Sequence, residues 1–129
     1  MKTILIAEDV VELRELAATI LRDSGYHVLL ANSHMQAVKV AGLYEGTIDA
    51  MVLNGDLRTK GSQEAIEEIC RQREEIKLLF VVGENGENHL LDREGIEFLV
   101  KPYKVEDLLS KIRGLLREDA VDPCEHIVG

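Results

Sequence analysis

The chain has 129 residues, of which 46% are hydrophobic and 30% are charged, and its formal net charge at pH 7 is −9. This length suits a single domain with a sizeable core. The excess of acidic residues argues against direct binding of nucleic acid, because phosphate recognition needs clustered Lys and Arg. No apolar stretch is long enough to cross a bilayer or to act as a secretory signal, so we expect a cytoplasmic protein without membrane contact.

The cysteines and histidines show no metal-ligand spacing. Cys70 falls in a predicted helix and Cys124 lies near the end of the sequence, and neither belongs to a CxxC or Cys/His pattern. We therefore expect reduced thiols. The four histidines are scattered along the sequence and predict no metal cluster.

The first unit is a strand followed by a helix. Residues 2–7 (KTILIA) form an apolar run that predicts a buried strand, and Glu8 and Asp9 follow it directly. Asp9 with Glu12 fits a capping box, and Gly25 is typical of a helix C-terminus. The spacing of apolar residues predicts that the inward face of this helix consists of Val10, Leu13, Leu16, Ala17, Ile20 and Leu21.

The second unit repeats the same order of elements. Residues 27–31 (HVLLA) predict a second strand. Ser33 with Gln36 forms another capping-box signature, which opens a helix extending to about Tyr44. The residues expected to face inward on this helix are Ala37, Val38 and Ala41.

The third unit contains the stretch on which the predicted site depends, residues 48–57 (IDAMVLNGDL). An apolar run ends abruptly in Asn54-Gly55-Asp56, which predicts a buried parallel strand that presents a polar residue at its carboxyl end. Sites in open α/β sheets are built at that end. A charged helix over about residues 62–73 follows, and its charges indicate a solvated face. Its apolar stripe consists of Ala65, Ile66, Ile69 and Cys70.

The segment after the fourth strand is too short for a long helix, whereas an amphipathic helix follows the fifth strand. Residues 77–83 (KLLFVVG) and 96–100 (IEFLV) predict two strands, and the segment 84–94 between them has few apolar residues. We expect a loop and a helix of only about two turns there. Lys101 and Pro102 then precede an amphipathic helix, whose apolar positions are Val105, Leu108, Leu109, Ile112, Leu115 and Leu116.

Five strand–helix units predict a fold of the α/β class. Parallel strands need right-handed crossovers, which place helices on both faces of the sheet. We therefore expect a flavodoxin-like, doubly wound (βα)5 domain over residues 1–118, with five parallel strands in the order 2-1-3-4-5 and a short fourth helix. Residues 119–129 lack periodicity and contain Pro123, so they are expected to form a flexible tail or the start of a linker.

The predicted strands end in an ordered set of residues: Glu8-Asp9 after the first, Asn54 after the third, Gly83 after the fourth and Lys101-Pro102 after the fifth. In this set the sequence resembles the receiver domain of bacterial two-component response regulators, over about residues 2–117. Any one of these features alone is weak. Their order and spacing give the resemblance its specificity.

The resemblance implies a phosphoryl-transfer site. A receiver takes a phosphoryl group from a phosphohistidine of a partner kinase onto its own aspartate at the end of the third strand. Acidic side chains hold Mg²⁺, a lysine neutralises the developing charge, and a hydroxyl residue after the fourth strand pulls an aromatic residue of the fifth strand inward.

Carried over by position, the resemblance assigns most of these roles. Glu8 and Asp9 match the metal-binding acids, Lys101 matches the charge-neutralising lysine, and Phe98 falls at the switch aromatic. Asp56 offers its backbone carbonyl to Mg²⁺. The bond before the proline that follows Lys101 is expected to be cis, as it is in the family.

Two positions depart from the family pattern. Asn54 stands where the phosphoacceptor aspartate is expected, and an uncharged carboxamide is not a competent nucleophile. Gly83 stands at the position of the hydroxyl residue, so it offers no side-chain donor for the switch. With one carboxylate fewer, we expect weak Mg²⁺ binding at best, no required cofactor, and a Lys101 that is free to pair with Asp9.

The leading hypothesis is a degenerate receiver, a non-enzymatic signalling module of a two-component phosphorelay system that binds partners independently of phosphorylation. Its partners are expected to be a histidine kinase or an output effector, and its oligomeric state to be monomer or homodimer.

Two alternatives stay open. The first is a receiver that accepts phosphate on Asp56 or on Asp9. The second is a flavodoxin-like module that binds a small molecule at the carboxyl ends of the strands, although no glycine-rich loop follows the first strand.

Overall fold

A computed structural model describes residues 1–54, 60–83 and 95–117, and of Asn54 it describes the backbone alone. The strands are β1 (Thr3–Ala7), β2 (His27–Ala31), β3 (Ala50–Asn54), β4 (Lys77–Val82) and β5 (Ile96–Val100). They form one parallel sheet in the order β2-β1-β3-β4-β5. The predicted flavodoxin-like class and strand order are confirmed.

The helices within the described residues are α1 (Val11–Asp23), α2 (His34–Leu43), α3 (Lys60–Gln72) and α4 (Val105–Leu116). The third helix begins two residues before its predicted start, and the other bounds differ by a residue or so, as is usual for helix ends. The predicted short helix in segment 84–94 and the predicted tail over residues 119–129 lie outside the described residues.

Each face of the sheet carries its own core, because successive strand residues point to opposite sides. On one face, Ile4 and Ile6 of β1 pack with α1 and α4. On the other face, Leu5 of β1 and Phe80 of β4 pack with α2 and α3. These four strand residues are at most 1% exposed. This two-sided covering explains why β1 and β4 read as continuous apolar runs rather than as alternating ones.

The inward face of α1 agrees with the prediction only in part. Ala17 and Leu21 are buried as expected, but Val10, Leu13 and Leu16 are 43%, 41% and 53% exposed. Ala18, absent from the predicted face, is fully buried. Ile20 also packs against this core, so the inward face consists of Ala17, Ala18, Ile20 and Leu21. Periodicity alone does not distinguish two apolar stripes on one helix.

The predicted caps of the first two helices have different outcomes. At α2, the Ser33 hydroxyl accepts a hydrogen bond from the backbone N–H of Gln36 at 3.0 Å, which confirms the predicted cap. At α1, the predicted capping box of Asp9 and Glu12 is wrong, because the N-cap is Val10 and makes no side-chain capping bond. Asp9 therefore does not cap this helix.

Gly25 follows the C-cap of α1 with φ +97°, and no atom lies within 4 Å of the position that a Cβ would occupy. Gly25→Ala is therefore expected to lower the free energy of unfolding by about 1–2 kcal/mol, through backbone strain alone. Gly114 in α4 has equally open surroundings without a positive φ. As the matched control, Gly114→Ala should raise that free energy by about 0.5–1 kcal/mol. Urea denaturation measures both, and equal effects of the two variants would contradict the backbone explanation.

Candidate functional site

The carboxyl ends of β1, β3, β4 and β5 meet at one edge of the sheet. Leu53 of β3 pairs with Ala7 of β1, so Glu8 and Asn54 occupy equivalent positions on neighbouring strands. Asn54 in turn pairs with Val81 of β4. On the far side, the backbone N–H of Lys101 donates to the carbonyl of Val82 at 2.8 Å. The backbone thus brings together the strand ends that the sequence marked as a site.

Glu8 is held by all three of its polar groups. Its backbone N–H donates to the carbonyl of Ala31 at 3.0 Å, and its own carbonyl accepts from Nη1 of Arg14 at 2.8 Å. Its Oε2 accepts from the backbone N–H of Val10 at 3.1 Å. Glu8, rather than Asp9, therefore satisfies an amide at the start of α1. Arg14 was not among the predicted site residues. The one feature of the sequence that could have indicated it is its position, just over a helical turn after the acidic pair.

Glu8 and Asp9 form a coupled carboxyl pair. Burial raises the pKa of Glu8, and the hydrogen bond with Asp9 raises it further, while the Val10 amide and the Lys101 charge oppose this shift. The same hydrogen bond is the main reason that the pKa of Asp9 is lowered. The two carboxyls therefore titrate as a pair, with the pKa of Glu8 raised and that of Asp9 lowered.

Lys101 lies close enough to act on both carboxyls electrostatically, and its charge lowers the pKa of each. Among the described residues, however, it forms no ion pair with Asp9. Lys101 therefore acts on Asp9 through its charge, without a direct ion pair between them. The Lys101–Pro102 peptide bond is cis, as the resemblance implies.

A pH-dependent stability follows from the raised pKa of Glu8. A carboxyl with a raised pKa in the folded state stabilises most below its ordinary pKa, and this contribution is lost as pH rises through the raised value. Glu8→Gln is therefore expected to stabilise the metal-free fold at neutral pH, by less than about 1 kcal/mol because the pair is largely solvated. The gain should disappear in acid. Urea midpoints against pH measure it, with the exposed Glu15→Gln of α1 as the control that removes one charge elsewhere.

The described residues offer few carboxylate ligands for a divalent cation. In residues 1–54, 60–83 and 95–117, no three His, Cys, Asp or Glu side chains lie together as potential ligands. Glu8 and Asp9 supply hard oxygen donors, but Glu8 is already bonded to an amide. These two residues fit a weak Mg²⁺ site whose occupation competes with that bond and with the shared proton. Asp56 lies outside the described residues, so its proposed carbonyl ligand stays a prediction.

The two predicted switch positions lie near the same edge. Phe98 is half-buried, and its ring stacks on that of Phe80 with centroids 5.6 Å apart. Gly83 is exposed, and within residues 1–54, 60–83 and 95–117 no atom lies within 4 Å of the place that a Cβ would occupy. Phe98 therefore has an aromatic contact within the core, and the Gly83 position has room for a larger side chain.

Large apolar side chains are exposed at the start of α1, close after the acidic pair in the sequence. They are Val10, Val11, Leu13 and Leu16, which we call the α1 strip, and their exposed fractions are 43%, 53%, 41% and 53%. Exposed large apolar residues are ordinary when scattered, but a group at one helix start next to a polar site is typical of a contact surface. This surface was not predicted from the sequence, since helical spacing assigned three of the four residues to the core.

A cavity of about 660 Å³ lies at the opposite edge of the sheet. Its lining includes Lys2, Thr3, Tyr26, Tyr44 and Asp49, at the amino ends of the strands. The alternative of a small-molecule module placed its ligand at the carboxyl ends instead. This cavity therefore gives that alternative no support.

Comparison with known proteins gives consistent matches. The family model described as response regulator receiver domain matches residues 4–113. The chain is 28% identical over 123 residues to the transcriptional regulatory protein CpxR of Klebsiella pneumoniae, and 27% identical over 128 residues to the response regulator MprA of Mycobacterium leprae. These matches cover 91% and 97% of this sequence but only 50% and 55% of the relatives, so the chain spans about half of their length.

Solved structures show the same fold. The receiver domain of the hybrid histidine kinase CckA matches with a TM-score of 0.74 at 24% identity, covering 88% of this chain and 98% of that one. Over the described ranges, no helix is both long enough and apolar enough to span a bilayer.

Proposed function

Because this chain belongs to the response regulator receiver domain family, we propose that it is a receiver with Asn54 at the phosphoacceptor position, and that it signals through protein contacts independent of phosphorylation. One observation carries the proposal. β3 ends at Asn54, beside the β1 end that leads into Glu8-Asp9, and Lys101 follows β5 at the same edge. The acceptor position of a receiver is the end of this strand, and here it holds a carboxamide.

The chemistry of the two departures supports this proposal. The amide nitrogen of Asn54 is conjugated with its carbonyl, so the side chain offers no nucleophile to a phosphoryl donor. Gly83 has no hydroxyl to bond a phosphoryl oxygen. The retained acidic pair and Lys101 then determine the shape and charge of the surface and take part in no reaction. The module is not an enzyme.

The α1 strip supports protein binding as the role. It places four apolar side chains next to an acidic corner, which suits a partner surface with apolar and basic residues. We propose a histidine kinase or an output effector as the partner, and a cytoplasmic monomer or homodimer as the working form. No cofactor is required, and Mg²⁺ binds weakly.

Incubating the freshly purified protein with acetyl phosphate and Mg²⁺ tests the proposal. We expect the intact mass to stay unchanged, since Asn54 is not a nucleophile and no other carboxylate takes over that role. A gain of one phosphoryl group mapped to Asp56 or Asp9 would overturn the proposal in favour of an active receiver with a substitute acceptor. Tight, saturable Mg²⁺ binding would likewise contradict the weak metal site.

A further inference from the structure

The residue after Asn54 in the sequence is Gly55. Glycine has no side chain to shield its backbone nitrogen, so an asparagine followed by glycine is especially prone to attack by that nitrogen on its side-chain carbonyl. β3 ends at Asn54, so the peptide bond to the glycine begins where the strand stops. An asparagine whose next residue favours this reaction thus stands at the acceptor position.

We propose that Asn54 is a deamidation site, and that its conversion to aspartate regenerates a phosphoacceptor in this protein. This inference rests on the proposed function, because it takes the end of β3 as the acceptor position. The protein is then made in an amide form that takes no phosphoryl group, and a chemical modification, rather than a second gene product, supplies the competent form.

The reaction is balanced with water as the one co-reactant. The Gly55 nitrogen loses its proton and bonds to Cγ of Asn54, and the bond between Cγ and the amide nitrogen Nδ2 breaks to release ammonia. The product is a five-membered cyclic imide. Water then adds to one imide carbonyl, and one of the two carbon–nitrogen bonds of the ring breaks. One water is consumed and one ammonia is released, and no oxidant or reductant is needed.

The two ring-opening products differ in what they do to the site. Breaking the bond between Cγ and the ring nitrogen gives ordinary aspartate and restores the original backbone. Breaking the bond between the backbone carbonyl carbon and that nitrogen gives isoaspartate, which adds a methylene to the backbone just beyond the strand. Only the ordinary aspartate places a free side-chain carboxylate on an unaltered strand end.

The fold gives that carboxylate its neighbours. Leu53 pairs with Ala7, so residue 54 follows that pair on β3 as Glu8 does after β1, and Lys101 follows β5 at the same edge. A carboxylate at position 54 would therefore complete an acidic set of three with Glu8 and Asp9. Such a set supplies hard oxygen ligands for Mg²⁺, and the new member is also a nucleophile.

Ageing the 129-residue protein in mildly alkaline, warm buffer tests the inference. Peptide mass mapping follows conversion at Asn54, and an isoaspartate-specific methyltransferase assay separates the two products. Samples taken over time are then treated with acetyl phosphate and Mg²⁺. We expect the fraction carrying a phosphoryl group on residue 54 to rise from zero and to equal the fraction of ordinary aspartate there.

The sequence offers an internal reference and a matched variant. Asn85-Gly86 is the same dipeptide elsewhere in the sequence, so its conversion shows that the ageing conditions suffice. Asn54→Gln keeps an amide at the position but forms the corresponding six-membered imide far more slowly. It should therefore gain no phosphoryl group on ageing.

The outcomes separate this inference from the proposed function. An Asn54 that stays intact while Asn85 converts overturns the inference, as does conversion to isoaspartate alone, or to an aspartate that takes no phosphoryl group. Equal phosphorylation of aged Asn54→Gln also overturns it. Phosphorylation of the fresh amide form at another residue overturns the proposed function instead, and the mass of the peptide holding residue 54 still reports deamidation independently.

Discussion

Asn54→Asp is expected to convert a protein that takes no phosphoryl group from acetyl phosphate into one that takes a single group, on residue 54. The substitution restores a nucleophile and a third carboxylate for Mg²⁺, while the strand ends that carry Glu8, Asp9 and Lys101 already lie together. Removing the nucleophile from a covalent mechanism abolishes nearly all of the rate. Restoring it should therefore raise the phosphorylation rate by about 10³-fold or more.

Gly83→Thr is the matched control for this experiment. A Cβ at Gly83 meets no atom of the described residues within 4 Å, so we expect the fold to tolerate the substitution. Alone, Gly83→Thr should remain unphosphorylated, since it adds no nucleophile. Combined with Asn54→Asp, it supplies the missing hydroxyl, and phosphorylation should then change the contact between Phe98 and Phe80.

Intact mass spectrometry and aromatic NMR signals report the two effects separately. Phosphorylation of Asn54→Asp with no change at Phe98 would separate acceptor chemistry from the switch. A change at Phe98 that needs the added threonine would show that Gly83 removes the link between them. If Asn54→Asp takes no phosphoryl group with Mg²⁺ present, the strand end is not an acceptor position.

The strand order and the strand ends could be predicted from the sequence because they depend on local patterns. Residues 27–31 and 96–100 were predicted with the bounds that the structure shows, since short apolar runs flanked by polar residues leave little choice. In a parallel sheet these runs must end at one edge, and this topology alone brings Asn54 and Lys101 together.

The orientation of α1 and the bonding of its first residues could not be predicted in this way. Leu13 and Leu16 fit an inward stripe by spacing, but the residues that α1 buries are Ala17, Ala18 and Leu21. Asp9 fits a capping position by type, yet Glu8 reaches the amide. These outcomes depend on contacts between elements, and helical periodicity contains no information about them.

Arg73 is the clearest example of a contact that the sequence pattern did not predict. By sequence it ends a charged helix whose charges predict a solvated face. In the structure, its guanidinium donates to the carbonyls of Ala41 at 2.8 Å and 3.1 Å, Tyr44 at 2.6 Å, and Gly46 at 2.7 Å. Two of these carbonyls belong to the C-terminal end of α2, where the helix leaves backbone acceptors without internal partners. The single guanidinium of Arg73 thus connects the residue after α3 to the end of α2 and to the loop that follows α2.

Arg73→Ala is expected to lower the free energy of unfolding by about 2–3 kcal/mol, because it removes several charge-assisted bonds and leaves partly buried carbonyls without donors. Arg73→Lys should lose less, since an ammonium group keeps the charge but reaches fewer acceptors. The control is Arg71→Ala, which breaks an exposed ion pair with Glu68 and should cost less than about 0.5 kcal/mol. Urea denaturation compares the three variants. Equal losses for Arg73→Ala and Arg71→Ala would show that the bonds to the end of α2 contribute no more than a surface charge does.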